Sequence, residues 1–243
     1  GEPWPVRGTE FVLPEPSRVE FSVDDGTIRS LSLPSGTYAL SDIGLTTGIH
    51  EVSVTYETES GESGARSFIV PFSGRALPPG TNLYSAAFGV PTEEARAPIV
   101  SLYGLKGISQ GLTTGAHAQI SAQAQLFGFE SIVASRIGTV SLSGGVSHTP
   151  YVGPGFAVEG IYRYVDNRRR VSPALLVSFL SQTRRFTGVH DPRPDNPISL
   201  TVAGGIGLDI PSVVGLSFGA ERRWYRDDRR GVTRLTGTIG ASF

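Results

Sequence analysis

Gly215-Leu216-Ser217-Phe218-Gly219 has the G-x-S-x-G spacing of a nucleophile elbow. That chemistry needs the serine on a sharp turn between a strand and a helix, so that its hydroxyl stands clear of the backbone. Here the five residues lie inside an alternating run. Val214, Leu216, Phe218 and Ala220 interleave with Ser217 and Glu221, and Arg222-Arg223 follows, so the spacing predicts a continuous strand and no hydrolase. His50, His117, His148 and His190 fall in separate stretches without metal-ligand spacing, and are expected to be solvated or to face a polar lumen. Gly204-Gly205-Ile206-Gly207 has no helix behind it to receive a dinucleotide phosphate. Asp24-Asp25-Gly26 reads as a hairpin turn rather than a cation site, and Asp227-Asp228 as solvated loop charge. The chain has 0 Cys, which excludes thiolate chemistry and disulfides. The sequence therefore predicts no enzyme, no catalytic residue, no metal and no cofactor.

The arginines support a positive reading. Arg184, Arg185 and Arg193 share one predicted loop, and Arg222, Arg223, Arg226, Arg229 and Arg230 surround another. Guanidinium groups bind phosphate bidentately, so the second cluster is a candidate contact for lipopolysaccharide phosphates. The competing reading is solvated loop charge, balanced by Asp191, Asp195, Asp227 and Asp228.

The elements that would position these residues are strands throughout. Gly, Pro, Ser and Thr interrupt every stretch, and no long window repeats at the helical period. From Ser17 to Ser73 the strands are short. Val19, Phe21 and Val23 alternate with Glu20 and Ser22, and Val52, Val54 and Tyr56 alternate further on. Phe68, Val70 and Phe72 close the set, with turns at Asp24–Gly26, Pro34–Gly36 and Glu59–Gly64. This predicts a small β-sandwich over residues 17–73, preceded by a lead-in strand or linker over 1–16.

Residues 74–243 follow a second pattern. The alternation is cleaner and the runs are longer. Val140, Leu142 and Val146 interleave with serines, Phe156, Val158, Tyr162 and Tyr164 with Glu159 and Arg163, and Leu235 and Ile239 with Arg234, Thr236 and Thr238. About ten antiparallel strands of roughly 9–12 residues are expected, the length that a tilted strand needs to cross a hydrocarbon core. One face is apolar and the other carries Ser, Thr, Gly and charge, as the wall of a water-filled barrel does. The predicted connections mostly alternate between longer and shorter, as barrel loops and turns do. Thr183–Pro197 and Trp224–Gly231 are read as external, and Asp166–Val171 is out of step, long for its place. A soluble all-β protein with one wet face per sheet fits the alternation as well.

Composition narrows the class. The net charge of −1 gives no field for nucleic acid. No run of about 18 apolar residues occurs, so no transmembrane helix is predicted. The chain has 0 Met and no visible signal peptide, so a mature or excised segment is expected, with Phe243 as a cut point.

The order of several motifs resembles the outer-membrane ushers of chaperone–usher pili. It begins at Pro3-Trp4-Pro5-Val6-Arg7-Gly8 and is most specific in Pro34-Ser35-Gly36-Thr37-Tyr38-Ala39-Leu40-Ser41-Asp42-Ile43. Glu51-Val52-Ser53-Val54, the exit Phe68-Ile69-Val70-Pro71-Phe72-Ser73, Leu83-Tyr84-Ser85 and the glycine-spaced stretch from Leu102 to Thr113 follow in family order. The resemblance implies that residues 17–73 are a plug and 74–243 part of a transmembrane β-barrel in the bacterial outer membrane. It further implies a secretion channel for pilus subunits delivered by a periplasmic chaperone, with outer-membrane lipid as the surrounding partner and no nucleic acid. Ushers are several times longer, and about ten strands fall short of the roughly 24 that the family's barrel implies. A middle segment or a reduced usher-like protein is therefore expected. From the faces, Glu20, Asp25, Arg29 and Asp42 are candidate gating residues on the plug. Glu159, Arg163, Asp209, Glu221 and Arg234 are candidates on the lumen wall. The rival readings are a soluble two-module β-sandwich adhesin and a small porin-like barrel with a periplasmic module.

Overall fold

A computed structural model describes residues 10–24, 26–39, 48–72, 76–90, 97–169, 171–189, 196–210, 214–227 and 230–241. All the regular elements among them are strands, and no helix is long and apolar enough to cross a membrane. The sequence calls on Asp25, Asp42, Arg193, Arg229 and Phe243 fall outside the described residues.

The first six strands form a small module: β1 (Glu10–Leu13), β2 (Ser17–Val23), β3 (Gly26–Leu33), β4 (Gly36–Ala39), β5 (Gly48–Thr58) and β6 (Ser63–Phe72). They make a four-stranded sheet in the order β3-β2-β5-β6 and a two-stranded sheet β1-β4. Alternation explains the packing, because every second side chain of a strand points to the same face. Val19 on β2, Val52 and Val54 on β5 and Val70 on β6 form a buried cluster with Phe11 and Leu13 of β1. Phe11 packs edge-on to Phe21 at 6.0 Å and stacks with Tyr38 at 5.7 Å. The sequence pattern begins the sandwich at Ser17, whereas the folded core draws in Phe11 and Leu13 ahead of it. Four residues pairing with a strand some 25 positions later leave little periodic trace; this pairing, Glu10↔Ala39 to Leu13↔Gly36, is long-range.

The remaining strands form one ten-stranded antiparallel sheet in strict chain order. They are β7 (Asn82–Gly89), β8 (Ile99–Ser109), β9 (Leu112–Ile120), β10 (Gln125–Ser135) and β11 (Gly138–Thr149). Then come β12 (Gly153–Val165), β13 (Ser172–Gln182), β14 (Ile198–Ile210), β15 (Val214–Tyr225) and β16 (Val232–Ala241). The ten strands expected from the sequence are all present, each paired only with its chain neighbours. The outermost strands β7 and β16 are not paired with each other, so the sheet is a partial barrel and not a closed one. Gly215–Gly219 lies wholly inside β15, which removes the turn that a nucleophile elbow requires.

An up-and-down order puts alternate connections at opposite ends of the sheet. Gln110-Gly111, Arg136-Ile137, the Asp166 turn and the β14–β15 connection share one end, called here the tight-turn end. The connections β7–β8, β9–β10, β11–β12, β13–β14 and β15–β16 share the other, the long-loop end.

Candidate functional site

The register fixes which residues share a face. One lateral row runs Leu102–Ala118–Phe127–Val146–Phe156 across five strands. A second runs Leu175–Ile206–Phe218 and continues to Gly237. Most of the large side chains in these rows stay exposed. Phe127 and Phe156 are 50% and 53% exposed, and Leu235 and Ile239 on β16 are each 76% exposed. Fully burying one such side chain is worth about 1.5–3 kcal/mol, so an aqueous surface of this composition is strongly disfavoured.

The opposite face is polar and carries a cavity of about 430 Å³. Tyr103, His117, Gln119, Glu130, Ser143 and Glu159 line it. The Tyr103 hydroxyl donates to Glu130 at 3.2 Å, and the Ser143 hydroxyl to Glu159 at 3.4 Å. At the tight-turn end this face is covered by the linker that enters β7. Leu77 N–H donates to Thr113 Oγ1 at 2.7 Å, and Gly80 and Gly107 exchange bonds with the neighbouring backbone. Gly107 has to be glycine, because a Cβ there would lie 1.9 Å from the Pro78 carbonyl oxygen. Beneath this linker Thr113 and Ile132 are fully buried.

The small module meets the sheet at the same end, on the turn after β12. Ile49 of β5 bridges to Asp166, and the Asn167 N–H donates to the Ile49 carbonyl at 3.0 Å. Asn167 Nδ2 lies 3.1 Å from His50 Nε2, and His50 Nδ1 lies 2.6 Å from Asp24 Oδ2. His50 Nδ1 thus faces the Asp24 carboxylate, and Nε2 faces the Asn167 amide. Asp24, at φ 48° in the β2–β3 turn, also accepts the Glu51 N–H at 2.9 Å. His50 is therefore buried in the seam rather than solvated. Gly48, at φ 151°, clears the space, since a Cβ there would collide with Asn167 Nδ2.

Asp166 stiffens the turn. Its carboxylate is fully buried and accepts Arg168 Nε at 2.7 Å and Nη2 at 2.9 Å, a bidentate pair. Tyr164 O–H donates to it at 3.2 Å, and Arg169 Nε stands 3.3 Å away. The Arg168 side-chain bonds hold the Asp166 carboxyl below the usual carboxylate range against the opposing effect of burial, and raise Arg168 in turn. Sequence patterning did not single out Asp24, His50, Asp166 or Asn167 for this contact. Its one trace was the length of Asp166–Val171, out of step with the other turns.

Of the candidates named from sequence, Glu20 and Arg29 are exposed on β2 and β3, while the hydrogen-bonded contact with the large sheet runs through Ile49 and His50. Glu159, Arg163, Glu221 and Arg234 all fall on the cavity face, with Arg163 across from Thr139 and Glu221 directly across from Arg234. The Asp209 backbone pairs with Ser172. The arginine cluster divides by parity. Arg223 is on the cavity face, paired with Glu221 at 2.5 Å, whereas Arg222 is on the apolar face, 5.1 Å above the Trp224 ring. Arg226 donates its N–H to the Pro197 carbonyl at 2.9 Å, and Arg230 is exposed. Among the described residues, no cluster of three or more His, Asp or Glu side chains could hold a metal ion.

This fold, a small β-module followed by a ten-stranded up-and-down sheet, has likenesses among solved structures. The P pilus usher (PapC) translocation pore superposes on 96% of this chain and 50% of that one, with a TM-score of 0.56 at 12% identity. The fold is that of part of the usher pore. A crystal structure of the usher PapC translocation pore matches at TM-score 0.52 and 12% identity, over 96% of this chain and 53% of that one. A cryo-EM structure of the E. coli P pilus tip assembly intermediate PapC-PapD-PapK-PapG matches over 100% of this chain and 32% of that one, at TM-score 0.63 and 12% identity. The chain thus spans about half, or less, of the length of the usher-pore structures it matches. No protein-family model and no curated protein matches the sequence.

Proposed function

We propose that the chain forms the plug and part of the wall of an outer-membrane usher channel, through which chaperone-delivered pilus subunits are secreted. The observation that carries this reading is the division of the ten-stranded sheet into an exposed apolar face and a polar face that holds a cavity. Lipid satisfies the first and a water-filled lumen the second. The small module acts as the plug and closes the tight-turn, periplasmic end. Its hold is modest and breakable, with Asn167, His50 and Asp24 at the seam. Glu20, Asp25, Arg29 and Asp42 are the plug-side gating candidates, meeting the polar lumen wall through contacts weak enough to break. Glu159, Arg163, Asp209, Glu221 and Arg234 keep the wall hydrated. No cofactor is required, because fibre growth in this scheme draws on exchange between subunits.

The long-loop end then faces the cell exterior. Arg222, braced on Trp224, and with it Arg226 and Arg230, stands where anionic lipid headgroups lie, whereas Arg223 turns to the lumen beside Glu221. Charge reversal at Arg222 and Arg230 weakens lipopolysaccharide binding on this account; unaltered binding would discard it.

The test of the channel is electrical. Deleting residues 10–72 raises the conductance of protein reconstituted in planar bilayers, and unchanged conductance counts against plugging. Monodisperse behaviour without detergent would favour the soluble adhesin instead.

A further inference from the structure

Residues 183–189, the first described part of the connection between β13 and β14, do not project away from the sheet. Thr183 first extends the strand pairing, donating its N–H to the Phe156 carbonyl at 2.8 Å and accepting the Phe156 N–H on Oγ1 at 2.8 Å. The chain then turns back over the cavity face. Phe186 N–H donates to the Thr183 carbonyl at 3.2 Å, and Thr187 N–H donates to Ser147 Oγ at 3.0 Å. On the return limb, the Asn196 amide donates to the carbonyls of Thr183 and Arg184, each at 3.3 Å, and to that of Phe186.

The sheet is shaped to receive this segment. Gly155 and Ser147 are register partners on the cavity face. A Cβ at Gly155 would lie 2.3–2.4 Å from the Arg185–Phe186 backbone, so only glycine permits the approach. The Phe186 ring sits over Gly145, one pair further in. Ser147, Thr149, Thr187 and Val189 are all buried together at this end. A hydrated surface loop would bury none of these groups.

We propose that Thr183–Val189 is a built-in constriction across the polar face at the long-loop end, a barrier to hydrophilic solutes that acts whether or not the small module is in place. The proposal rests on the channel reading, in which this face lines the lumen and this end is external. It makes the passage narrow at both mouths: at the periplasmic one through the plug and linker, and at the outer one through a loop clamped by Ser147 and Asn196. A polypeptide leaving the channel has to lift Phe186 off Gly145.

The chain has 0 Cys, so a single introduced thiol reports access cleanly. Ser143→Cys lies on the cavity face below the loop, and Tyr151→Cys lies in the exposed β11–β12 turn at the same end. Intact cells producing either variant are treated with a membrane-impermeant maleimide. Tyr151→Cys is expected to label rapidly and Ser143→Cys slowly. Adding Gly155→Val, which the loop backbone cannot accommodate, or Asn196→Ala, which cuts the clamp, raises Ser143→Cys labelling about tenfold by favouring the open loop, and leaves Tyr151→Cys unaffected. Ser143→Cys labelling as fast as Tyr151→Cys in the otherwise unaltered chain overturns the constriction, as does indifference to both loop variants. Absence of labelling at Tyr151→Cys instead rejects the outward orientation, and the constriction with it.

Discussion

Asn167, in the turn after β12, places its amide nitrogen 3.1 Å from Nε2 of His50, a residue 117 positions earlier in the small module. This contact and the backbone bond beside it tie two units that each have their own hydrophobic pattern. Asn167→Ala removes a hydrogen bond worth about 1 kcal/mol. The expected result is faster amide exchange at Ile49–Val52 with the melting of the large sheet unchanged. Gly48→Val, which drives a side chain into Asn167, produces a larger effect in the same direction. Equal exchange in the parent and both variants would show that the seam carries no coupling.

The Asp166 carboxylate makes the turn pH-sensitive in one direction. Its folded pKa is lowered, so its stabilising contribution is complete above the unfolded value of about 3.9 and is lost as the pH falls through the lower folded value. Protection of the Asp166–Arg168 turn is therefore flat from neutrality down to about pH 4 and fades below it. Asp166→Ala removes the acceptor of the Arg168 pair, costs about 1.5–3 kcal/mol locally and abolishes the acid-side loss. Exchange measured between acid and neutral pH in both proteins decides the matter.

Ser217 and Phe218 are chain neighbours on opposite faces of β15, so one substitution at each separates lipid from lumen. Phe218→Arg costs about 2–4 kcal/mol if the residue lies near the bilayer midplane, and reduces the heat-modifiable folded band on gels. Ser217→Arg is tolerated. Equal tolerance at both positions would remove the membrane reading.

Phe11 belongs to the core of the small module, stacked on Tyr38 and edge-on to Phe21. Phe11→Ala is expected to destabilise that module by about 3–5 kcal/mol. Proteolysis within residues 10–72 then precedes cleavage of the large sheet. A wild-type pattern would place β1 outside the module's core.

Much of this was legible in the chain. Alternation at Val140–Val146, Phe156–Tyr164 and Leu200–Ile210 gives strand, face and approximate length together, because the side-chain period in a strand is two. The same parity puts Glu159, Arg163, Glu221 and Arg234 on one face before any fold is known. Parity also separates Arg222 from Arg223, a distinction that grouping them as one loop cluster obscured. The seam was less legible. Asp24, His50 and Asn167 have no shared spacing, and each looks like an ordinary turn or strand residue until the chain closes between them.

The sequence by itself determined the strand class, the number of strands in the large sheet, their up-and-down order and the identity of the two faces, since these follow from local periodicity and from turns a few residues long. Only the tertiary structure decided what lies on the polar face. That β1 completes the sandwich, that Gly48 makes room for Asn167, that the linker needs Gly107 and that the loop at Phe186 turns inward onto Gly145 and Gly155 all depend on contacts between distant segments. Such contacts are set by which surfaces fit once the strands are placed, and a glycine that makes room for one of them looks in the sequence like any other glycine.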